Sequence, residues 1–195
     1  MVDINTVEAR SNYLLKVVTE TIKKFKAEHE NECLYSFTLI SPPEGSSVCC
    51  AFATEEGLTN VAANYINNHP NIARNNTLED QRISLRWLNP DEGWYYYFFD
   101  DEFSEFWLKP FTTGELNLFD ESTESTCVSV LQKLDKVNTF GSEIERNGIV
   151  LGFTYGSDPD DFMNFAKEVN LPQVYNRLCD EIRESCRVNG VPSPI

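Results

Sequence analysis

Histidine is nearly missing from this sequence: His29 and His69 are the only two in 195 residues, and neither lies close to a cysteine. Zinc sites need Cys, His or carboxylate ligands at chelating spacing, so no metal site is expected. Basic residues are also scarce, with 16 Lys and Arg against 31 Asp and Glu and a formal charge of -15. The average field therefore repels phosphate and anionic lipid, which argues against nucleic acid and membrane surfaces as partners. Uninterrupted apolar runs are short, Trp94 to Phe99 being the extreme, far below the roughly 20 residues of a membrane-spanning helix. Met1 to Arg10 carries acids and no apolar segment, so no secretory signal is expected and the compartment reads as cytoplasmic.

Recognised catalytic signatures are absent too. There is no G-x-S-x-G, no G-x-x-x-x-G-K and no G-x-G-x-x-G, so a serine-hydrolase elbow, a P-loop and a dinucleotide fingerprint are not indicated, and no cofactor is expected. In a reducing compartment Cys33, Cys49, Cys50, Cys127, Cys179 and Cys186 read as thiols. Cys49 and Cys50 are consecutive in an expected strand and so face opposite ways, while Cys179 and Cys186 share one helix face.

What is present suffices for a core. Hydrophobic residues make up 41% of the chain, including 13 Phe, 8 Tyr and 3 Trp, and a chain of this size buries roughly 70% of its unfolded surface. No repeat or linker tract divides it, so one globular domain over 1–195 is the simplest organisation.

Apolar residues at helical spacing (Val7, Leu14, Leu15, Val18, Ile22, Phe25) predict an opening helix over about Asn5 to Glu28. Leu34 to Ile40, with Tyr35, Phe37 and Leu39 on one face, and Val48 to Ala53 predict two strands joined by the Pro42-Pro43-Glu44-Gly45 turn. Thr54 is placed to cap a helix that opens with Glu55 and Glu56 and carries Leu58, Val61, Ala62, Tyr65 and Ile66. His69 to Asp80 reads as a loop and Ile83 to Leu88 as a third strand. Asn89-Pro90-Asp91-Glu92 has the order of a helix start; Trp94 to Phe99 could pair as a strand, but Tyr95, Phe99, Phe103 and Phe106 form a helical stripe, which favours a helix. Further helices are expected over Ser122 to Val137, from Ser157 or Asp158 to Glu168, and from Leu171 through Cys186, with a strand over Ile149 to Tyr155. The pattern predicts an α+β fold: a mixed or antiparallel sheet of about four or more strands covered by several helices.

Charge is concentrated in one stretch. Between Asn89 and Thr126 lie Asp91, Glu92, Asp100, Asp101, Glu102, Glu105, Glu115, Asp120, Glu121 and Glu124, against the single base Lys109. The same stretch is dense in aromatics. Acids steer a basic partner and exposed rings supply desolvated contact, so Asp91, Glu92, Asp100, Asp101, Glu102 and Glu105, with Trp94, Tyr96 and Trp107 as anchors, form the expected partner-binding set. An aromatic core helix with a solvated acidic back accounts for the same composition. The carboxylate pairs Glu55-Glu56, Asp100-Asp101 and Asp160-Asp161 fit helix first turns and solvated faces better than acid–base catalysis.

Tyr35-Ser36-Phe37, Ala53-Thr54-Glu55-Glu56-Gly57-Leu58, and Arg86-Trp87 followed by Pro90, Glu92 and Trp94 resemble the bacterial domain-of-unknown-function family 4303, over most of the chain. The resemblance implies a small cytosolic protein and, through the association of some members with polymorphic toxin systems, an immunity-type role against a basic toxin; it brings no catalytic residues. The alternative left open is an enzyme of unrecognised chemistry with a cleft at Glu55, Glu56 and Arg86.

Overall fold

The computed structural model describes residues 7–73, 76–87, 93–112, 122–156, 159–193 and 195. The opening periodicity forms helix α1 (Val7–Glu28), whose Leu14, Val18, Ile22 and Phe25 are buried along one stripe. Strands β1 (Leu34–Ser41) and β2 (Cys49–Thr54) pair antiparallel as a hairpin. Thr54 caps helix α2 (Glu55–Asn68), its hydroxyl oxygen accepting from the Gly57 amide at 3.0 Å. Short helices α3 (Pro70–Ala73) and α4 (Leu78–Leu85) follow, then strand β3 (Trp94–Phe98) and helix α5 (Asp101–Thr112). Helices α6 (Ser122–Lys136) and α7 (Glu143–Asn147), strand β4 (Val150–Tyr155), and helices α8 (Pro159–Val169) and α9 (Pro172–Asn189) complete the order.

The four strands lie in the order β3-β2-β1-β4, with β1 and β4 parallel and the other pairs antiparallel. The sheet is mixed and the fold is α+β, as the pattern predicts. Its faces differ in side-chain size. Phe37, Leu39, Cys50, Phe52, Leu151 and Phe153 point to one side and pack with the apolar stripes of α1 and α6. On the other side small residues such as Ala53 and Val150 meet α2, α8 and α9. Gly152 is small because it must be: a Cβ there would lie 2.3 Å from the Phe162 ring of α8.

The β4 edge is closed by a side chain. Asn170 accepts from the Leu151 amide at 2.9 Å and donates to the Leu151 carbonyl at 2.7 Å, as a neighbouring strand would.

Three expectations are corrected. Ile83 belongs to helix α4 rather than to a strand over Ile83 to Leu88; Thr77 and Asp80 form a reciprocal capping box that starts the helix within the expected loop. Trp94 to Phe98 is a strand, not part of a helix: Gly93 takes a φ of +86°, and the ladder to β2 pairs Trp94 with Ala53 and Phe98 with Cys49. Pairing puts Tyr95 and Tyr97 on the core face and leaves Phe98 outside, a period of two that the helical stripe concealed. Finally, the β1–β2 register shifts between Leu34 and Ser36, so Tyr35 leaves the face of Phe37 and Leu39 and packs with Ala53 and Leu58. The expected helix start at Asn89 to Glu92 and helix opening at Ser157 or Asp158 lie outside the described residues.

Candidate functional site

The expected partner-binding residues fall into three groups. Asp91 and Glu92 lie outside the described residues, as do Glu115, Asp120 and Glu121. Asp100, Asp101, Glu102 and Glu105 are all exposed at the start of α5. Asp100 has a structural duty as well, because its carboxylate accepts from the Phe103 amide at 2.9 Å and so caps the helix. Asp101 and Glu102 occupy the first turn, where the helix dipole favours acids. Their field reaches α1: the Tyr13 phenol is held above its ordinary pKa by burial and then by Glu102 and Asp100.

The aromatic anchors divide differently. Trp107 is fully buried, so its place in the contact set is corrected: it is core. The Trp107 ring stacks on Phe103 with centroids 5.5 Å apart, carries the Arg10 guanidinium at 4.0 Å, and donates its indole N–H to the Gly45 carbonyl at 2.9 Å. It pins the β1–β2 hairpin to α5. Trp94 is half-buried against Tyr35. Tyr96 is 37% exposed and stacks at 6.5 Å on Phe98, which is 79% exposed. Among the described residues Phe98 is thus the most open ring on this face, a residue that the helical reading of the stretch did not single out.

Beside these residues is a cavity of about 350 Å³ where β1, β3 and β4 end and β2 and α5 begin, lined among others by Ile40, Val48, Cys49, Phe98, Phe103 and Ser104. Burial pushes the Cys49 thiol up to about 11, so it is a neutral lining group.

Of the residues named for the alternative cleft, Glu55 and Arg86 meet as an ion pair. Arg86 donates from both terminal nitrogens to Glu55, at 2.5 and 2.9 Å, and from Nε to Glu181 at 3.2 Å. Arg82 reaches the same Glu55 at 2.8 Å, and the Trp87 indole donates to Glu181 at 2.9 Å. The Arg86 guanidinium also lies 4.2 Å over the Tyr35 ring. Partial burial acts to raise the Glu55 pKa, but the Arg86 hydrogen bonds and the two arginine charges outweigh it and hold the carboxyl below its ordinary value. Glu56 is not part of this knot; it turns the other way and accepts from the Cys33 amide at 2.7 Å.

A second polar cluster escaped the sequence. Glu32 accepts from the Thr54 hydroxyl at 2.5 Å and from the Tyr95 hydroxyl at 3.0 and 3.1 Å, and its Oε1 lies 2.8 Å from Nδ1 of His29. Burial raises the Glu32 pKa, and these three partners together lower it further than burial lifts it. The cluster ties the end of α1 to β3 and to the cap of α2. Among the described residues no three His, Cys, Asp or Glu side chains gather as a metal site, and no helix is long and apolar enough to cross a membrane.

Some of the residues that carry the family resemblance, Tyr35, Glu55, Arg86, Trp87 and Trp94, are linked by ring contacts and ion pairs, whereas Phe37 lies on the other sheet face and Pro90 and Glu92 lie outside the described residues. Gly57 faces Gly93 so closely that a Cβ on Gly57 would lie 2.6 Å from the Gly93 carbonyl oxygen, with the Thr54 hydroxyl beside Gly57 and Val61 beside Gly93. Fold and site together define an α+β domain with an ion-paired knot on one sheet face and an acidic, aromatic rim at one edge. The chain belongs to the DUF4303 family, a domain of unknown function, which matches residues 14–171, more than half of its length. No match was found among curated proteins or among solved structures.

Proposed function

We propose that this is an acidic protein-binding domain of the immunity type, which neutralises a toxin or another basic protein by covering it with the rim formed by β3 and α5. The observation that carries the reading is the juxtaposition of four exposed carboxylates, Asp100, Asp101, Glu102 and Glu105, with the exposed Phe98 ring and the partly exposed Tyr96 ring. In a chain of formal charge -15 the carboxylates accelerate encounter with a cationic surface, and the rings supply the contact area that holds it. A solvated surface needs no such rings, and large exposed aromatics beside one another are uncommon without a partner.

The enzyme reading has one observation in its favour, the gathering of Arg86 with Glu55 and Glu181. Their charges are spent on one another. Arg86 uses Nε and both terminal nitrogens on carboxylates, and Glu55 is shared by two arginines, which is the arrangement of a tie between α2, α4 and α9.

The test is co-expression with the product of the adjacent open reading frame, followed by affinity capture at low and high salt. A stoichiometric basic partner, released by salt and by the triple change Asp101→Lys, Glu102→Lys, Glu105→Lys, is the expected result. Retention of the partner by the triple variant would sink the proposed face. Asp100 is left in place because changing it also removes the α5 cap.

A further inference from the structure

The cavity beside the acidic rim has a chemistry of its own. Its walls are mainly apolar, from Ile40, Val48, Phe98 and Phe103, and two of the hydroxyls that line it are already committed. Ser104 donates to the Asp100 carbonyl at 3.0 Å and Ser41 to the Pro42 carbonyl at 3.1 Å. With the Cys49 thiol held neutral by burial, these walls favour an apolar occupant over a polar one. At about 350 Å³ the cavity sits at the small end of ligand pockets, roughly 300–1,000 Å³, which suits one or two side chains better than a cofactor.

Its surroundings set the rest of the occupant. Asp101 lies three positions before the lining residue Ser104, hence on the same side of α5, and Asp100, the cap of that helix, accepts the Ser104 hydroxyl at its main-chain carbonyl; both acids are exposed. The wall residue Phe98 extends from the cavity into solvent. An apolar recess bordered by carboxylates fits a chain segment that carries cations on either side of a bulky apolar residue.

We infer that this cavity is the anchor pocket of the binding face: it receives one bulky apolar side chain, Phe or Leu in kind, from a Lys- or Arg-flanked segment of the partner protein. The inference rests on the acidic rim being the binding face and adds what the rim alone does not give, a preference at one position. Charge provides the encounter, and the pocket selects the segment.

The probe is a set of capped peptides, Lys-Lys-X-Lys-Lys with X as Phe, Leu, Ala or Glu, and Glu-Glu-Phe-Glu-Glu. Each is titrated against the full chain by calorimetry and by the rate at which iodoacetamide alkylates Cys49, read by mass mapping with exposed Cys33 as the internal reference. The Phe and Leu peptides are expected to bind about tenfold or more tightly than the Ala peptide and to slow alkylation at Cys49 without slowing it at Cys33. Ser104→Phe and Ser47→Phe, which fill the cavity from different segments, should each reduce the Phe peptide to the level of the Ala peptide. Circular dichroism checks that they fold. Equal affinity for X as Phe and Ala, or Cys49 alkylation unchanged at saturating Phe peptide, overturns the pocket. If all the Lys peptides bind equally and are lost in the Asp101, Glu102, Glu105 triple variant, the rim stands and only the pocket falls. If Glu-Glu-Phe-Glu-Glu binds as tightly as its Lys counterpart, the basic partner falls, and the rim with it. Failure of every peptide to bind overturns both.

Discussion

Replacing Arg86 by Met keeps most of the side-chain length and removes the charge, which makes it the sharpest probe of whether the knot is a tie or a reactive centre. Three hydrogen bonds to carboxylates are lost, two to Glu55 and one to Glu181, together with the contact over Tyr35. Hydrogen bonds to charged groups contribute roughly 1.5–3 kcal/mol each but do not add, and breaking a buried ion pair costs about 3–5 kcal/mol. The side chains here are 19% exposed for Arg86, 32% for Glu55 and 27% for Glu181, so solvent moderates the loss. Arg82 and the Trp87 indole also remain to hold Glu55 and Glu181. A loss of about 2–4 kcal/mol follows. With a urea m-value of about 2–3 kcal/mol/M, the unfolding midpoint should fall by roughly 1–2 M at unchanged slope. In the double-mutant cycle with Glu55→Gln, the coupling should be about 1–3 kcal/mol. A change below about 0.5 kcal/mol would refute the reasoning, because a guanidinium that can be removed freely is not a tie and its carboxylate neighbours would need another use.

Trp107→Ala should cost about 3–5 kcal/mol by thermal or urea unfolding, since the ring is fully buried, whereas Phe98→Ala should leave stability within about 0.5 kcal/mol and weaken partner binding. Gly152→Ala should destabilise by about 1–3 kcal/mol, as the Phe162 ring must move to admit a methyl; an unchanged midpoint would mean that α8 shifts freely. Acid titration should show the Glu32 and Glu55 clusters loosening together. Both carboxyls have folded pKa values below the unfolded value of 4.5, so their stabilisation is complete above that pH and is lost as the pH falls through the lower folded values. Removing the Tyr95 and Thr54 donors (Tyr95→Phe with Thr54→Val) should flatten the Glu32 share of that slope.

Much of the architecture could be read from periodicity. α1, the β1–β2 hairpin, the Thr54 cap and helices α6, α8 and α9 each show one dominant pattern, whereas the short α7 was not foreseen. The failures lie where two patterns compete. Trp94 to Phe106 contains both a strand alternation and a helical stripe, and pairing of Phe98 with Cys49, 49 positions away, decided between them. From Ile83 on, Ile83, Leu85 and Trp87 alternate with polar residues as in a strand, although Thr77 and Asp80 already spell a capping box. The acidic rim was legible as composition, because exposed acids need no partner to be recognised. The burial of Trp107 was not, since it depends on the Gly45 carbonyl of a distant hairpin. Nor could the knot be foreseen in full: Glu181 lies 95 positions from Arg86, and no local spacing relates them.

The central claim is that charge on α5 drives recognition, and the dependence of association rate on ionic strength tests it most directly. Surface plasmon resonance with the co-expressed basic partner should give a rate that falls steeply between low and physiological salt for the native chain. It should be slow and nearly salt-independent for the Asp101→Lys, Glu102→Lys, Glu105→Lys variant. Identical salt dependence in the two proteins would contradict the account.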